Sequence, residues 1–94
     1  MALVHNAFTV GTTPMLIVDL PEGNPTTVVN IHNHENHTIY IGDATLATSG
    51  THKGMAVYKD YVYVVTLNAE DKLYAVADTT SPANALTVLY SKVI

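Results

Sequence analysis

Short runs of alternating apolar and polar residues, separated by turn-forming residues, make up most of this chain. In one such run, Val29 and Ile31 fall on one face of an extended segment, whereas Val28, Asn30 and His32 fall on the other. We find no segment that keeps an apolar period of 3.6 residues over three helical turns. The pattern predicts strands near residues 4–10, 15–20, 26–32, 37–41, 44–48, 55–58, 61–67, 72–77 and 86–91.

Many short strands at this spacing are typical of a sandwich or barrel. We therefore predict an all-β fold, a single small β-sandwich or jelly-roll-like barrel of about eight short, mostly antiparallel strands. With 94 residues, the chain has room for one domain, covering residues 1–94. A single helical turn near residues 82–85 is the one helical segment that the pattern permits.

The strand predicted over 61–67 is apolar or amphipathic on both faces. Val62 and Val64 point one way, and Tyr63 and Val65 point the other. A strand that is covered on both sides lies either centrally between layers or against a partner subunit.

Charged residues are scarce in this sequence, and this affects what we expect of the protein's surface. Charged residues make up 13% of the chain and apolar residues 48%, with a formal net charge of −4. A typical soluble domain has about 25% charged residues, so contact with other subunits would explain the deficit. Four lysines without arginine do not form the basic stripe that nucleic acid requires.

The lack of cysteine bears on how the fold is stabilised, and the lack of long apolar runs bears on where the protein is expected to be made. The absence of cysteine excludes disulfides and thiolate metal sites, which leaves association as the expected reinforcement of a small core, unless the five histidines hold a metal. No apolar run approaches the ~20 residues of a membrane span. The first residues lack the basic and apolar regions of a signal peptide, so we expect synthesis in a cytosol and no membrane partner.

The segment 32–37 contains the most conspicuous candidate chemistry. His32 and His34 would share one face of a strand, and Glu35 or His37 could complete a zinc, copper or nickel site. Cupins use a His-x-His pair on a strand, but the glutamate and the distant second histidine of their motifs have no counterpart here. The pattern favours a polar turn formed by Asn33, Glu35 and Asn36 with the histidines beside it at the surface, and an assembly-related metal or anion site and a catalytic metal are the alternatives.

No other catalytic set is evident. The serines lack a nucleophile-elbow context, the carboxylates fall mostly at predicted turns and the glycines are isolated. We therefore predict a protein without catalytic residues or a cofactor.

Tyrosine rings suit both protein interfaces and sugar faces, and core or interface packing is the favoured interpretation here. The apolar chain end is also unusual for a free tail. The predicted interface residues are Tyr58, Tyr61, Tyr63, Tyr90, Val93 and Ile94.

Three stretches between Val28 and Tyr90 together resemble a known class of proteins. They are 29–33 (VNIHN) with 38–44 (TIYIGDA), 46–50 (LATSG) with Gly54, and 67–77 (LNAEDKLYAVA) with 86–89 (LTVL). Their order and spacing are similar to small β-sandwich structural proteins of tailed bacteriophages, of the head decoration, head-fibre and minor capsid type. The histidine-rich turn and the segment 51–55 depart from that pattern, which leaves head or tail location open.

The resemblance implies a non-enzymatic virion structural protein, made in the host cytoplasm. Such a protein decorates or cements a capsid by forming a homo-oligomer, often a trimer, on the major capsid protein or on other virion proteins. A phage tail or fibre component that acts as a receptor- or carbohydrate-binding module is the alternative. A small histidine-metal enzyme of cupin-like shape is the third hypothesis.

Overall fold

The computed structural model describes residues 2–93. It contains eight strands and one 3-10 turn, with no α-helix in that range. The elements are β1 (Ala2–Phe8), β2 (Met15–Asp19), β3 (Thr27–Asn33), β4 (Ile39–Gly42), the 3-10 turn Gly50–His52, β5 (Met55–Val57), β6 (Val62–Leu67), β7 (Lys72–Ala77) and β8 (Leu86–Lys92).

The strands form two four-stranded sheets. Sheet A has the order β1-β8-β3-β6, and sheet B has the order β2-β7-β4-β5. Every pairing is antiparallel. The first strand pairs with the last, the second with the seventh, the third with the sixth and the fourth with the fifth, which is the arrangement of a jelly roll. The predicted all-β sandwich of about eight antiparallel strands is confirmed.

The core lies between the sheets and is built from alternate residues of each strand. Sheet A contributes Val29, Ile31 and Val88, and sheet B contributes Ile39 and Ala75, all at most 1% exposed. Burial of a Val or Ile side chain stabilises a fold by roughly 1.5–3 kcal/mol. Because alternate residues are committed to this core, the intervening residues of each strand define two outer faces.

The prediction of a strand near 44–48 is wrong. The chain instead makes a turn in which the Leu46 N–H donates to the Asp43 carbonyl (3.1 Å), and only an isolated bridge joins Ala47 to Lys53. Leu46 is 5% exposed, so it anchors the loop in the domain without belonging to a strand. The segment 82–85 is likewise a turn and not helical, and Asn84 has a positive φ of 56°.

The edges of the two sheets differ. In sheet B, β5 has only three residues, and β2 contains a bulge between Leu16 and Val18 that leaves Ile17 and Val18 both buried. In sheet A, β1 and β6 have seven and six residues and keep an unbroken register with their neighbours. Bulges and short edge strands are ordinary protections against edge pairing, and sheet A has neither.

The two ends of the described chain meet at one corner of sheet A. Ala2 of β1 pairs with Lys92 of β8. The Val93 N–H donates to Oδ1 of the buried Asn24 (2.7 Å), so this partly buried predicted interface residue is tied to the body of the domain. Ile94, the neighbouring predicted interface residue, lies outside the described residues.

Candidate interaction surface

The outward-pointing residues of sheet A form a surface that we call the outer A face. The strand registers align them in rows, one of which contains His5, Leu89, Asn30 and Val64. None of the residues that compose it is Asp, Glu, Lys or Arg. The outer A face consists of Leu3, His5, Ala7, Val28, Asn30, His32, Val62, Val64, Thr66, Thr87, Leu89 and Ser91.

Large apolar side chains on the outer A face are open to solvent. Leu3 is 72% exposed, Val62 60%, Val64 56%, Val28 50% and Leu89 40%. Val62 and Val64 adjoin along β6, whereas Leu3, Val28 and Leu89 alternate with polar residues of this face. Single exposed apolar residues are normal on protein surfaces, and several on one sheet face are a feature of interaction sites.

The outer face of sheet B is different. Its tyrosines Tyr40 and Tyr74 are half-buried, and Lys53 places its Nζ 5.8 Å from the centre of the Tyr40 ring. At the β2–β7 edge, Lys72 Nζ donates to Asp19 Oδ1 (2.8 Å). Charged groups thus reach this face, whereas the outer A face contains no Asp, Glu, Lys or Arg and has a charged neighbour at one end, where Asp60 lies near His32.

A shallow cavity lies in the centre of the outer A face. Its volume is about 250 Å³, and Leu89, Asn30 and Thr87 are among the residues that line it. His5 and His32 line it together with Val62. The lining therefore combines the apolar side chains of Leu89 and Val62 with imidazole, amide and hydroxyl groups.

The structure brings His32 and His34 together at one end of this face. Their ring centroids are 3.9 Å apart, with an interplanar angle of 49°. His32 Nε2 lies 3.8 Å from Asp60 Oδ1, and His34 Nε2 lies 3.0 Å from Thr87 Oγ1. Within residues 2–93, no three His, Cys, Asp or Glu side chains are placed to hold a metal ion, so His37 does not complete a ligand set with the other two.

Asn33 organises the polar turn that follows β3. Its fully buried side chain donates from Nδ2 to the carbonyls of His37 (2.7 Å) and Val57 (2.8 Å), and its Oδ1 accepts from the Glu35 N–H (3.0 Å). The last of these bonds is that of an Asx turn, the chemistry that the sequence favoured for this segment. The amide also links the end of β3 in sheet A to β5 in sheet B.

The predicted interface tyrosines fall into two groups. Tyr58 and Tyr61 are exposed, and their rings form an edge-to-face pair with centroids 5.7 Å apart. Tyr63 is half-buried and packs against the core. Tyr90 is a core residue, 6% exposed, and this burial raises the pKa of its phenol. The Tyr90 ring is therefore not available to a partner in the folded chain.

Sequence reasoning missed most of the apolar residues of the outer A face. Leu3, Val28 and Leu89 were not among the predicted interface residues, because the prediction relied on tyrosine as the marker of an interface. The available signal was the double apolar pattern of 61–67. That strand does not lie centrally: it is the edge of sheet A, and its outward valines are exposed to solvent.

A second, polar cavity of about 270 Å³ lies beside β4 and β5. There Asp43 Oδ1 accepts from the Thr45 hydroxyl (2.6 Å) and from the Thr45 N–H (2.9 Å), and the hydroxyl lies 3.3 Å from His52 Nδ1. These bonds, with the nearby His52, hold the pKa of the Asp43 carboxyl below its ordinary value. Because the Thr45 proton is directed to the carboxylate, the contacts describe a stabilised turn and not an activated nucleophile.

Among the described residues, no helix has the length and apolar character that crossing a membrane requires. Comparison with known proteins finds no match to a protein-family model, to a curated protein or to a solved structure. The uncharged, solvent-exposed outer A face is therefore the main basis for inferring a function.

Proposed function

We propose that this chain is a non-enzymatic structural subunit that assembles with its own copies and with other proteins through the outer A face. Its place of action is a phage virion, where it decorates or cements the capsid on the lattice of the major capsid protein. The observation that carries the proposal is the exposed apolar surface of Leu3, Val28, Val62, Val64 and Leu89, on a face that contains no Asp, Glu, Lys or Arg.

The assembly part of the proposal rests on physical chemistry. The centre of a protein interface is depleted in charge and enriched in apolar groups, with about one hydrogen bond per 100–200 Å². Asn30, Thr66 and Thr87 supply side-chain donors and acceptors among the apolar residues of the outer A face. A flat face of this kind suits a large partner surface better than a small ligand.

The virion part rests on the sequence resemblance and is compatible with the fold. Jelly rolls form viral capsid domains, lectins and cupins alike, so the fold alone does not choose between them. A cupin-like metal enzyme has less support, because His32 points to the outer face and, among residues 2–93, no third ligand joins it and His34.

The test compares one leucine on each outer side of the sandwich. Leu89 on the outer A face and Leu16 on β2 are exposed to nearly the same extent, 40% and 38%. We expect the wild-type chain to be oligomeric in sedimentation velocity at micromolar concentration. Leu89→Lys should weaken association about tenfold or more, which is ~1.4 kcal/mol, because a charge must then be desolvated.

Leu16→Lys is the matched control and should leave the oligomer unchanged. Co-sedimentation with phage capsids that lack a decoration protein, using the same variants, examines the second partner. A stable wild-type monomer that also fails to bind capsids would contradict the proposal.

A carbohydrate-binding role in a tail or fibre is the second candidate, and one observation favours it. Tyr58 and Tyr61 present exposed rings around a turn that carries Asp60, and aromatic faces with nearby carboxylates suit sugars. This role predicts glycan-array binding that Tyr61→Ala abolishes. Tyr74→Ala, at a half-buried tyrosine of sheet B, is the control that should leave binding intact.

A further inference from the structure

The free edge of β6 has a defined hydrogen-bonding pattern. The Asn33 N–H donates to the Tyr61 carbonyl (3.4 Å), which directs that carbonyl toward β3. Since main-chain groups alternate sides along an antiparallel strand, Tyr63 and Val65 also bond to β3. The N–H and C=O groups of Val62, Val64 and Thr66 therefore point away from sheet A.

This edge lacks the usual features that prevent strand pairing. Between residues 62 and 67 there is no charged residue, proline or glycine, and the register with β3 is continuous. In sheet B, the bulge in β2 and the three-residue length of β5 protect both edges. An unprotected β-branched edge is a template for another strand.

We propose that β6 pairs with β6 of a second copy of this chain, antiparallel about a twofold axis at Val64. This inference deepens the proposed self-assembly and rests on it. Val64 then lies opposite the partner's Val64, and Val62 lies opposite the partner's Thr66. Three such pairs exchange about six backbone hydrogen bonds, because each hydrogen-bonded pair of an antiparallel ladder exchanges two.

The side chains support this register on both faces of the joined sheet. On the inner face, Tyr63 lies opposite the partner's Val65, and both residue types are half-buried and packed against the core, so each copy covers what the other leaves open. On the outer side, the uncharged outer A faces of the two copies become one continuous surface of eight strands.

Charge complementarity selects the antiparallel arrangement. The turn before β6 carries the exposed Lys59, and the turn after it carries the exposed Glu70. With the axis at Val64, the turn of each Lys59 lies alongside the turn of the partner's Glu70. Asp60 and Asp71 lie in the same two turns, so at each end of the uncharged ladder Lys59 is the one cation among the acidic residues of both copies.

A single cysteine tests the register directly, since the chain contains none. In Val64→Cys, the two thiols face each other across a hydrogen-bonded pair with a Cα–Cα distance of about 5.5 Å, which a disulfide can span. We expect a dimer to form under mild oxidation at micromolar concentration, at least about tenfold faster than for Leu3→Cys, which is on the opposite edge of sheet A and 72% exposed.

Two more variants define the pairing. Val62→Cys and Thr66→Cys should each stay unlinked alone, because equivalent positions then lie about 13 Å apart along the strand. Mixed together, they should form a heterodimer.

A charge exchange provides the second readout. Lys59→Glu should slow Val64→Cys cross-linking several-fold, and adding Glu70→Lys to the same chain should restore the rate, because one cation then again lies among the acidic residues at each end of the ladder.

The possible outcomes separate this inference from the proposed function. An oligomeric protein in which Val64→Cys cross-links no faster than Leu3→Cys would overturn edge pairing and leave assembly through the outer A face intact. A monomeric wild type whose Val64→Cys variant also stays unlinked would overturn both.

Discussion

Sheet A and sheet B enclose the same core, but they meet the surroundings differently. Sheet B has a bulged edge strand, a three-residue edge strand and an ion pair between Lys72 and Asp19. Sheet A has two long regular edges and an outer face without charge. In one small sandwich, one layer is thus protected against association, and the other has the properties of a surface that a partner covers.

The two sheets differ in how their main-chain groups are paired and their apolar side chains are covered. Main-chain groups and apolar side chains must be paired or covered somewhere. Sheet B meets the requirement within the chain, using loop 43–54, its bulge and its charges. In sheet A we propose that a neighbouring chain meets it, so substitutions in the two layers should affect different measurements.

The largest loss of stability is expected at Asn33, whose side chain joins the two sheets. Asn33→Ala removes the amide that binds the His37 and Val57 carbonyls and the Glu35 N–H, so about 2–4 kcal/mol of the free energy of unfolding should be lost. Urea denaturation measures it. Asn30→Ala, on the outward side of the same strand, should change stability by less than about 0.5 kcal/mol. Equal effects at both positions would refute this role of Asn33.

The next effect concerns sheet B alone. A Cβ at Gly54 would lie 2.6 Å from the Ile41 carbonyl oxygen and would also meet Leu46 Cδ1. Gly54→Ala should therefore cost about 1–3 kcal/mol in thermal unfolding, because a backbone atom must move. Gly11→Ala, where the added Cβ has nothing within 4 Å, is the control. A stable Gly54→Ala variant would mean that loop 43–54 packs less closely against sheet B than these contacts indicate.

Hydrogen exchange should distinguish the free edge of sheet A from its paired side. The Val64 amide points away from β3 and should exchange rapidly in dilute protein, whereas raising the concentration should slow it about tenfold or more as β6 pairs. The Val65 amide, which bonds to β3, should be protected at both concentrations. Rapid Val64 exchange at every concentration would indicate that no strand covers this edge.

The smallest effect is electrostatic and lies beside sheet B. Hydrogen bonds from Thr45 lower the pKa of Asp43 below 3.8, so its contribution to stability is present above that pH and is lost as the pH falls through the lowered value. Thr45→Val should raise the Asp43 pKa in an NMR titration and remove part of this acid dependence. Thr66→Val, on the outer A face, should leave the Asp43 titration unchanged.

Alternation along the chain was sufficient to predict most strands and which residues share a face. In β3, Val29 and Ile31 were correctly predicted to share one face, which is the buried one. The segment 44–48 was predicted wrongly because the buried Leu46 gives a loop the apolar content of a strand. Local sequence cannot distinguish an apolar anchor of a turn from one position of a short strand.

The candidate surface was predictable only in part. The double apolar pattern of 61–67 indicated that a partner was one of two explanations. The position of β6 at the edge depends on its pairing with β3, more than 30 residues earlier in the chain, and local alternation does not specify such long-range pairing. Leu3 and Leu89 join the valines on one face through the pairings of β8 with β1 and β3, which are equally long-range.

The corner where Ala2 pairs with Lys92 has a practical consequence. Because the described ends are adjacent, a short linker can join them, and new termini can be opened in the turn at residues 82–84. Such a circular permutant would keep every ladder of the sandwich. It would also move any fused cargo from the sheet that we expect to be covered to an exposed loop, which makes the domain a scaffold for displaying foreign segments.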